Sequence, residues 1–444
     1  MPTSNPYSPA KPVDSDSTDS SDSVVSTQVN EAKDLADGSK ASVVDDSSTW
    51  APLAVPVFRA FWIASIISNL GTWVHEVGAG WLMTGLDSSP EMVAAVRLAL
   101  SAPTMLLAIP AGVLADRVDR RRLLIMTQIL LLITTSTLAT LTLQGLITSW
   151  LLLGLTTVMG VGTVLYVLGW QSTVPALVPP KQISRAVALG SMSFNLARSV
   201  GPAIGGVLIA IAGAWIAFAV NALSFAIVLV VVIRWKREET ESSQGLSFGQ
   251  SMSEGMRFVA KNRTMRHVLL GVLAFLIPAT SLWALLPLVV REQLEWTAQG
   301  FGLLVTMIGL GAVMAARVLH SLHHWLGRDR TVTCAMTAFA FGLAMLGISR
   351  TAWLAIPATV LIGGAWMIVL TTLNATAQMT LPNQLRARGM GYYMTMMALS
   401  MSIGAILWGQ IAGSIGLTTT LLLAAGSLPI SAGIRSQWLD IREA

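Results

Sequence analysis

The sequence predicts an all-α membrane protein, with twelve transmembrane helices in two six-helix bundles. Three observations predict it. Of 444 residues, 53% are hydrophobic and only 11% charged, where a soluble domain carries about 25% charged residues. Twelve apolar runs are each long enough to cross a bilayer, which takes about 20 residues in a helix. The basic residues, finally, gather in alternate loops between those runs.

Residues 1–52 form an acidic Ser/Asp-rich tail. Its first 50 residues hold three Lys against nine acidic residues, a net charge of −6. Such a segment cannot bury enough apolar surface to offset its ordering entropy, so disorder is expected. It lacks the basic start and apolar centre of a signal peptide. The apolar runs follow at about 58–86, 92–115, 123–143, 150–174, 186–212 and 215–233, making a first bundle over 53–233. A second set, at 268–290, 301–319, 331–348, 353–372, 390–411 and 417–434, makes a bundle over 267–434, with 435–444 as a terminal tail. The runs are continuous, which implies helices; barrel strands alternate over about ten residues. Between the bundles, 234–266 is a linker in which Phe248, Met252, Met256 and Val259 recur at helical spacing, an amphipathic helix lying on the membrane surface.

With twelve spans both termini share a side. The loops on that side hold most of the Lys and Arg, among them Arg117, Arg120, Arg234, Arg263 and Arg328, while only Arg291 and Arg350 fall opposite. The positive-inside rule places both termini in the cytoplasm of a cytoplasmic (inner) membrane. Basic residues spread over short loops speak for orientation and not for nucleic acid. The single cysteine, Cys334, excludes an internal disulfide and is expected to be a small core residue. Adjacent His323 and His324 have no carboxylate at ligand spacing, so no metal site is expected, and no phosphate-binding G-x-x-x-x-G-K-[ST] loop occurs, so neither a cofactor nor ATP hydrolysis is expected.

Between the second and third runs the chain reads G-V-L-A-D-R-V-D-R-R-R (112–122), and in the fifth A-R-S-V-G-P-A-I-G-G (197–206). The first resembles the signature loop of the major facilitator superfamily, and the second its helix 5 antiporter motif. F-R-A-F-W-I-A-S-I-I-S-N-L-G-T-W, A-L-V-P-P-K-Q-I-S-R-A-V-A-L-G and E-G-M-R-F-V-A-K-N-R are similar to the exporter branch that includes the enterobactin exporter and its relatives. The resemblance, covering about 55–434, implies a cytoplasmic gate at Gly112, Asp116, Arg117 and Arg120, with Asp116 meeting the start of the eleventh helix. It also implies a bend and close packing at Gly201, Pro202, Gly205 and Gly206. Two departures stand out. Asp119 replaces a motif Gly, which makes a positive-φ turn harder, and the helix 4 Arg of many drug antiporters is absent at T-T-V-M-G-V-G. The corresponding turn after the eighth run reads as decayed, with His324 near the place of the acid, and Arg121 and Arg122 read as fixing topology alone.

Charges inside the bilayer cost a few kcal/mol unless paired or hydrated. Ser65, Asn69, Thr72 and Glu76 form one polar stripe on the first helix, facing a water-filled cavity rather than lipid. At ~1.5 Å per residue, Glu76 lies about 27 Å above its helix start and Arg198 about 20 Å. With helices 1 and 5 adjacent, as the resemblance implies, Glu76 and Arg198 are expected to interact and couple protons to opening; the alternatives are a Glu76 simply hydrated at the outer interface and an Arg198 that pins the helix 5 bend. Arg97 is expected to snorkel to the outer surface. Tyr166, Trp170, Trp283, Tyr392 and Met396 are the aromatic and Met candidates for a substrate cavity, beside Asn69 and Thr72. Trp150, Trp235, Trp296 and Trp353 read as interface anchors.

The expected function is secondary export of a small organic molecule, a siderophore or drug-like amphiphile, by proton antiport with alternating access. The expected partners are the lipid bilayer, the small-molecule substrate and protons, with the chain a monomer and no enzyme. An importer of the same fold and a non-transporting membrane sensor are the alternatives.

Overall fold

A computed structural model describes residues 48–117, 119–235, 257–382 and 386–438. Met1–Ala51 and Pro52–Ala444 are separate units, and the second holds every helix below. Its helices are α1 (Pro56–Leu86), α2 (Pro90–Arg117), α3 (Arg120–Leu143), α4 (Ser149–Leu177), α5 (Ile183–Ala212), α6 (Trp215–Arg234) and α7 (Arg263–Leu288), which runs on into a π-helical turn, Val289–Gln293. Then comes Ala298–Ile348, a 51-residue helix broken where Gly327 adopts φ 74° and ψ 162°. A positive φ is open to glycine at no steric cost, and Gly327 divides the element into α8 (298–326) and α9 (328–348). α10 (Ala352–Thr380), α11 (Arg386–Ile415) and α12 (Leu417–Trp438) complete the order. Eleven continuous helices among the described residues are long and apolar enough to span a membrane; the break at Gly327 makes them twelve crossings.

Local chemistry sets the helix boundaries. Pro56 opens α1 at a position where its missing N–H costs nothing. Thr148 and Asn262 cap α4 and α7 by accepting the Leu151 and Met265 backbone N–H at 3.3 and 2.8 Å. Asp119, at φ −54°, caps α3 by accepting the Arg122 N–H at 2.8 Å. The expected turn penalty at Asp119 therefore does not arise: its backbone is not left-handed, and its side chain satisfies an otherwise orphaned helix donor.

α7 is buried along nearly its whole length, with Val268, Val272, Phe275, Leu276, Ala279 and Leu282 almost inaccessible. Phe275 packs edge-on to Phe339 of α9 at 5.3 Å, and Trp283 edge-on to Trp366 of α10 at 5.7 Å. The two bundles meet along two seams. α2 packs on α11, where Ala94 and Glu91 fill the space over Gly409 and the Ser101 and Ser402 hydroxyls lie 2.9 Å apart. α5 packs on α8, backbone to backbone: a Cβ on Gly302 would lie 2.6 Å from the Pro202 carbonyl oxygen and 2.9 Å from the Gly206 Cα.

That second seam opens toward the end of the bundle where α1 and α7 start, here called the near end. Ser199, Pro202 and Gly206 of α5 touch α8, but Met192 and Asn195, on the continuation of the same face, are exposed, as is Val313 of α8. At the far end the bundles stay joined, with Arg291 donating to the Thr84 hydroxyl at 3.0 Å and lying over the Trp81 ring.

Two polar fastenings, the first of them buried, escaped the sequence reading. Arg435 of α12, 1% exposed, donates to the Asp329 carboxylate at 2.8 Å, to the Asp329 carbonyl at 2.8 Å and to the Thr333 hydroxyl at 2.7 Å. The first turn of α9 thus carries a buried acid, Asp329, while His324 is exposed. Neighbouring His323 meets the Thr372 hydroxyl at 2.9 Å and so is not purely solvated. In the first bundle, Arg121 donates to the carbonyls of Val232 and Ile233 at 3.3 and 2.6 Å. A cation at the C-terminus of α6 answers the helix dipole, so Arg121 ties α3 to α6 beyond fixing topology.

Two other expectations change. Cys334 is exposed on the flank of α9 and is not a core residue. Trp235 is buried edge-on against Phe61 at 5.5 Å, and is no interface anchor, whereas Trp150 and Trp353 are highly exposed at helix ends. In the linker, Phe248, Met252 and Met256 lie outside the described residues; Val259, in a helical stretch over 257–261, is buried with Arg257 and Lys261 exposed beside it.

Candidate functional site

The charged centre of the molecule sits where α1, α2, α7 and α8 converge. Helical spacing on α1 puts Thr72 and Glu76 on one side, and α2 brings Arg97 opposite while burying Val93 and Val96. The Arg97 Nη1 donates to the Glu76 carboxylate oxygens at 3.4 and 3.5 Å. Its guanidinium carbon lies 5.6 Å from the centre of the Trp283 ring, a cation–π placement worth roughly 0.5–2 kcal/mol. The pair is about one-fifth exposed and borders a cavity of about 40 Å³ lined by Trp73, Glu76, Arg97, Trp283, Phe301 and Val305, among others. Both bundles contribute to that lining.

Arg97 is therefore no snorkelling residue. A guanidinium so placed finds a carboxylate within 3.5 Å and an aromatic face, which offset its desolvation better than a climb to the surface. Arg198 of α5, half-buried, stands within electrostatic range of the Glu76 carboxylate, while the hydrogen bonds to that carboxylate come from Arg97. The missed signal was in the sequence: Glu76 and Arg97 sit on consecutive antiparallel helices, ten and seven residues from the turn after Leu86, and so at similar depth.

The rest of the α1 stripe turns toward α5. Asn69 donates to the hydroxyls of Ser65 and Ser193 at 3.4 and 3.3 Å, and Thr72 returns its hydroxyl to the Ser68 carbonyl at 3.0 Å. Ser193, Ala197, Gly201 and Gly205 all face α1, with a Cβ on Gly201 falling 2.7 Å from that of Trp73. Ser65 and Asn69 thus serve helix packing, while Thr72 and Glu76, both half-buried, lie nearer the cavity. The helix 5 residues Gly201, Pro202, Gly205 and Gly206 are buried at the contacts with α1 and α8.

Of the aromatic candidates, Trp283 lines the cavity. Tyr166 and Trp170 stack on one another at 6.4 Å and Trp170 lies tilted against Phe61 at 5.6 Å, within the core of the first bundle. Tyr392 and Met396 are half-buried against the larger core of the second. The expected gate lies largely outside the described residues: the side chains of Gly112, Asp116 and Arg117 and those at the start of α11 are not described, and Arg120 is half-buried beside the Asp119 cap.

Comparison with known proteins follows from this geometry. Residues 47–443 match the transmembrane secretion effector family of the major facilitator superfamily. The staphyloferrin A transporter of Staphylococcus aureus is 24% identical over 296 residues, covering 65% of this chain and 73% of the relative. The multidrug efflux pump Tap of Mycolicibacterium fortuitum is 24% identical over 381 residues, covering 83% and 91%. Among solved structures, a bacterial homologue of the human lysosomal transporter Spinster, in an inward-facing and occupied conformation, superposes with a TM-score of 0.70 at 13% identity, covering 88% of this chain and 98% of that one. A multi-pass helical membrane protein with two bundles, a charged cavity between them and a family match over nearly its whole length, the chain belongs to the transmembrane secretion effector family of major facilitator transporters.

Proposed function

We propose that this chain exports a small organic molecule from the cytoplasm by proton antiport, using Glu76 as the proton carrier. The observation that carries this reading is the Glu76–Arg97 pair in a cavity bordered by both bundles. A carboxylate and a guanidinium in that setting are held there by each other. Protonating Glu76 leaves Arg97 without its counter-charge, which biases the packing between bundles and supplies the two-state element that alternating access requires. The relatives named for siderophore and multidrug transport support a siderophore or drug-like amphiphile as cargo.

In this reading both termini face the cytoplasm of the inner membrane, the near end is cytoplasmic, and the conformation is open inward. Parting of α5 from α8 toward that end, with the far ends joined, supports it. Asp116 and Arg117, meeting the start of α11, would latch the cytoplasmic side in the opposite state. The chain acts as a monomer, with lipid, substrate and protons as partners and no cofactor. The test compares small molecules retained by cells with and without the chain, repeated with Glu76→Gln. A compound retained without the chain and also with Glu76→Gln supports the reading; export unchanged by Glu76→Gln sinks the proton role.

A further inference from the structure

The donors and acceptors around the Glu76 cavity do not balance. Arg97 spends Nη1 on Glu76, but its Nε is buried with no protein partner, and so is the indole Nε1 of Trp283. Both residues line the same cavity. A buried donor left unmade costs about 1–3 kcal/mol, and the two residues that carry one here line the same space of about 40 Å³. One water needs roughly 10–15 Å³ on that measure, so the space takes about three water-sized groups and not a whole organic molecule. Its walls are aromatic and aliphatic, with Trp73, Phe301 and Val305 beside the donors.

Charge narrows the polar group further. Within the lining one carboxylate, Glu76, answers one guanidinium, Arg97. Arg198 stands outside the lining, and His75, next to Glu76 in sequence, packs instead on Phe218 of α6 at 4.8 Å. A ligand carboxylate would meet Glu76 at close range, and a ligand cation would meet Arg97. An uncharged oxygen meets two donors and no opposing charge.

We infer that Arg97 and Trp283 form a subsite for an uncharged oxygen acceptor, a carbonyl or ether, on an otherwise apolar substrate. Glu76 is its positioning residue: by holding Nη1 it fixes the guanidinium plane and hence where Nε presents. Protonated Glu76 releases that plane, so ligand and proton exclude one another, which is the relation an antiporter needs. This rests on the proposed export function and adds the substrate class and the sign of the coupling.

The test uses the full chain in lipid nanodiscs, with calorimetric titration at equal pH on both sides and empty nanodiscs as control. The probes are acetophenone, ethylbenzene, benzoate and benzylammonium. Acetophenone should bind about tenfold more tightly than ethylbenzene, the scale of a hydrogen bond to a charged donor, and more tightly than either ion. Trp283→Phe and Arg97→Lys, which keep the ring and the charge, should each erase most of that preference, and Glu76→Gln should weaken acetophenone. Equal binding of ketone and hydrocarbon overturns the subsite. So does tightest binding of benzoate that strengthens with Glu76→Gln, or tightest binding of benzylammonium. Because no gradient is present, failure of proton-driven export with the ketone preference intact would remove the coupling reading and leave the subsite standing.

Discussion

Arg435 near the end of the last helix and Asp329 in the first turn of α9 form a buried ion pair at 2.8 Å, with side chains 1% and 6% exposed. Removing one partner leaves the other charge buried and alone, which typically costs about 3–5 kcal/mol, whereas replacing both with apolar groups is often neutral. Asp329→Asn and Arg435→Met should therefore each lower the thermal unfolding midpoint in detergent clearly, and Asp329→Leu with Arg435→Met should recover most of the loss. Additive losses in the double variant would show that the two side chains act independently.

Gln293 makes a comparable closure at the far end. Its amide donates to the carbonyls of Leu346, Gly347 and Ser349 at 2.9, 3.1 and 2.6 Å, satisfying the C-terminus of α9 from the turn after α7. Gln293→Ala removes that donor from the Gly347 and Ser349 carbonyls, at about 1–3 kcal/mol, while the Leu346 carbonyl keeps the Ser349 N–H and hydroxyl. Amide hydrogen exchange should accelerate over residues 342–349 while α3 and α6 are unaffected; uniform acceleration everywhere would point to general unfolding instead.

The α5–α8 seam is a backbone-to-backbone contact near the far end. Gly206 and Gly302 approach so nearly that a Cβ on either would clash with the other's backbone. Gly302→Val must separate the far ends of these helices, at roughly 1–3 kcal/mol of overpacking. A cysteine at Ala298, buried against that seam, in a chain with Cys334 replaced by Ser, should become more reactive toward a membrane-impermeant thiol reagent in that variant. Unchanged reactivity would mean that the seam does not govern access.

Much of this architecture was legible because lipid leaves few options. Continuous apolar runs and basic alternate loops give twelve helices and their order, and the G-V-L-A-D-R and G-P-A-I-G-G stretches resemble family signatures. Partners across space were harder. Glu76 stood out as a buried charge, yet assigning it to Arg198 rather than Arg97 followed helix adjacency and neglected depth. Asp329 was hidden in a basic string, R-D-R, and Arg435 in an apparent tail, because nothing local shows that they fold against each other. Orphan donors such as Trp283 Nε1 have no sequence signature at all.

The central claim is that protonation of Glu76 moves the bundles, and it is tested most directly without any substrate. Spin labels on cysteines at Ser88 and Thr297, exposed or half-exposed positions near the far ends of the two bundles, report their separation in a chain with Cys334 replaced by Ser. The distance distribution should change between neutral and acid pH in the wild type, and Glu76→Gln should hold the acid distribution at both. A Glu76→Gln chain that still follows pH as the wild type does would contradict the account.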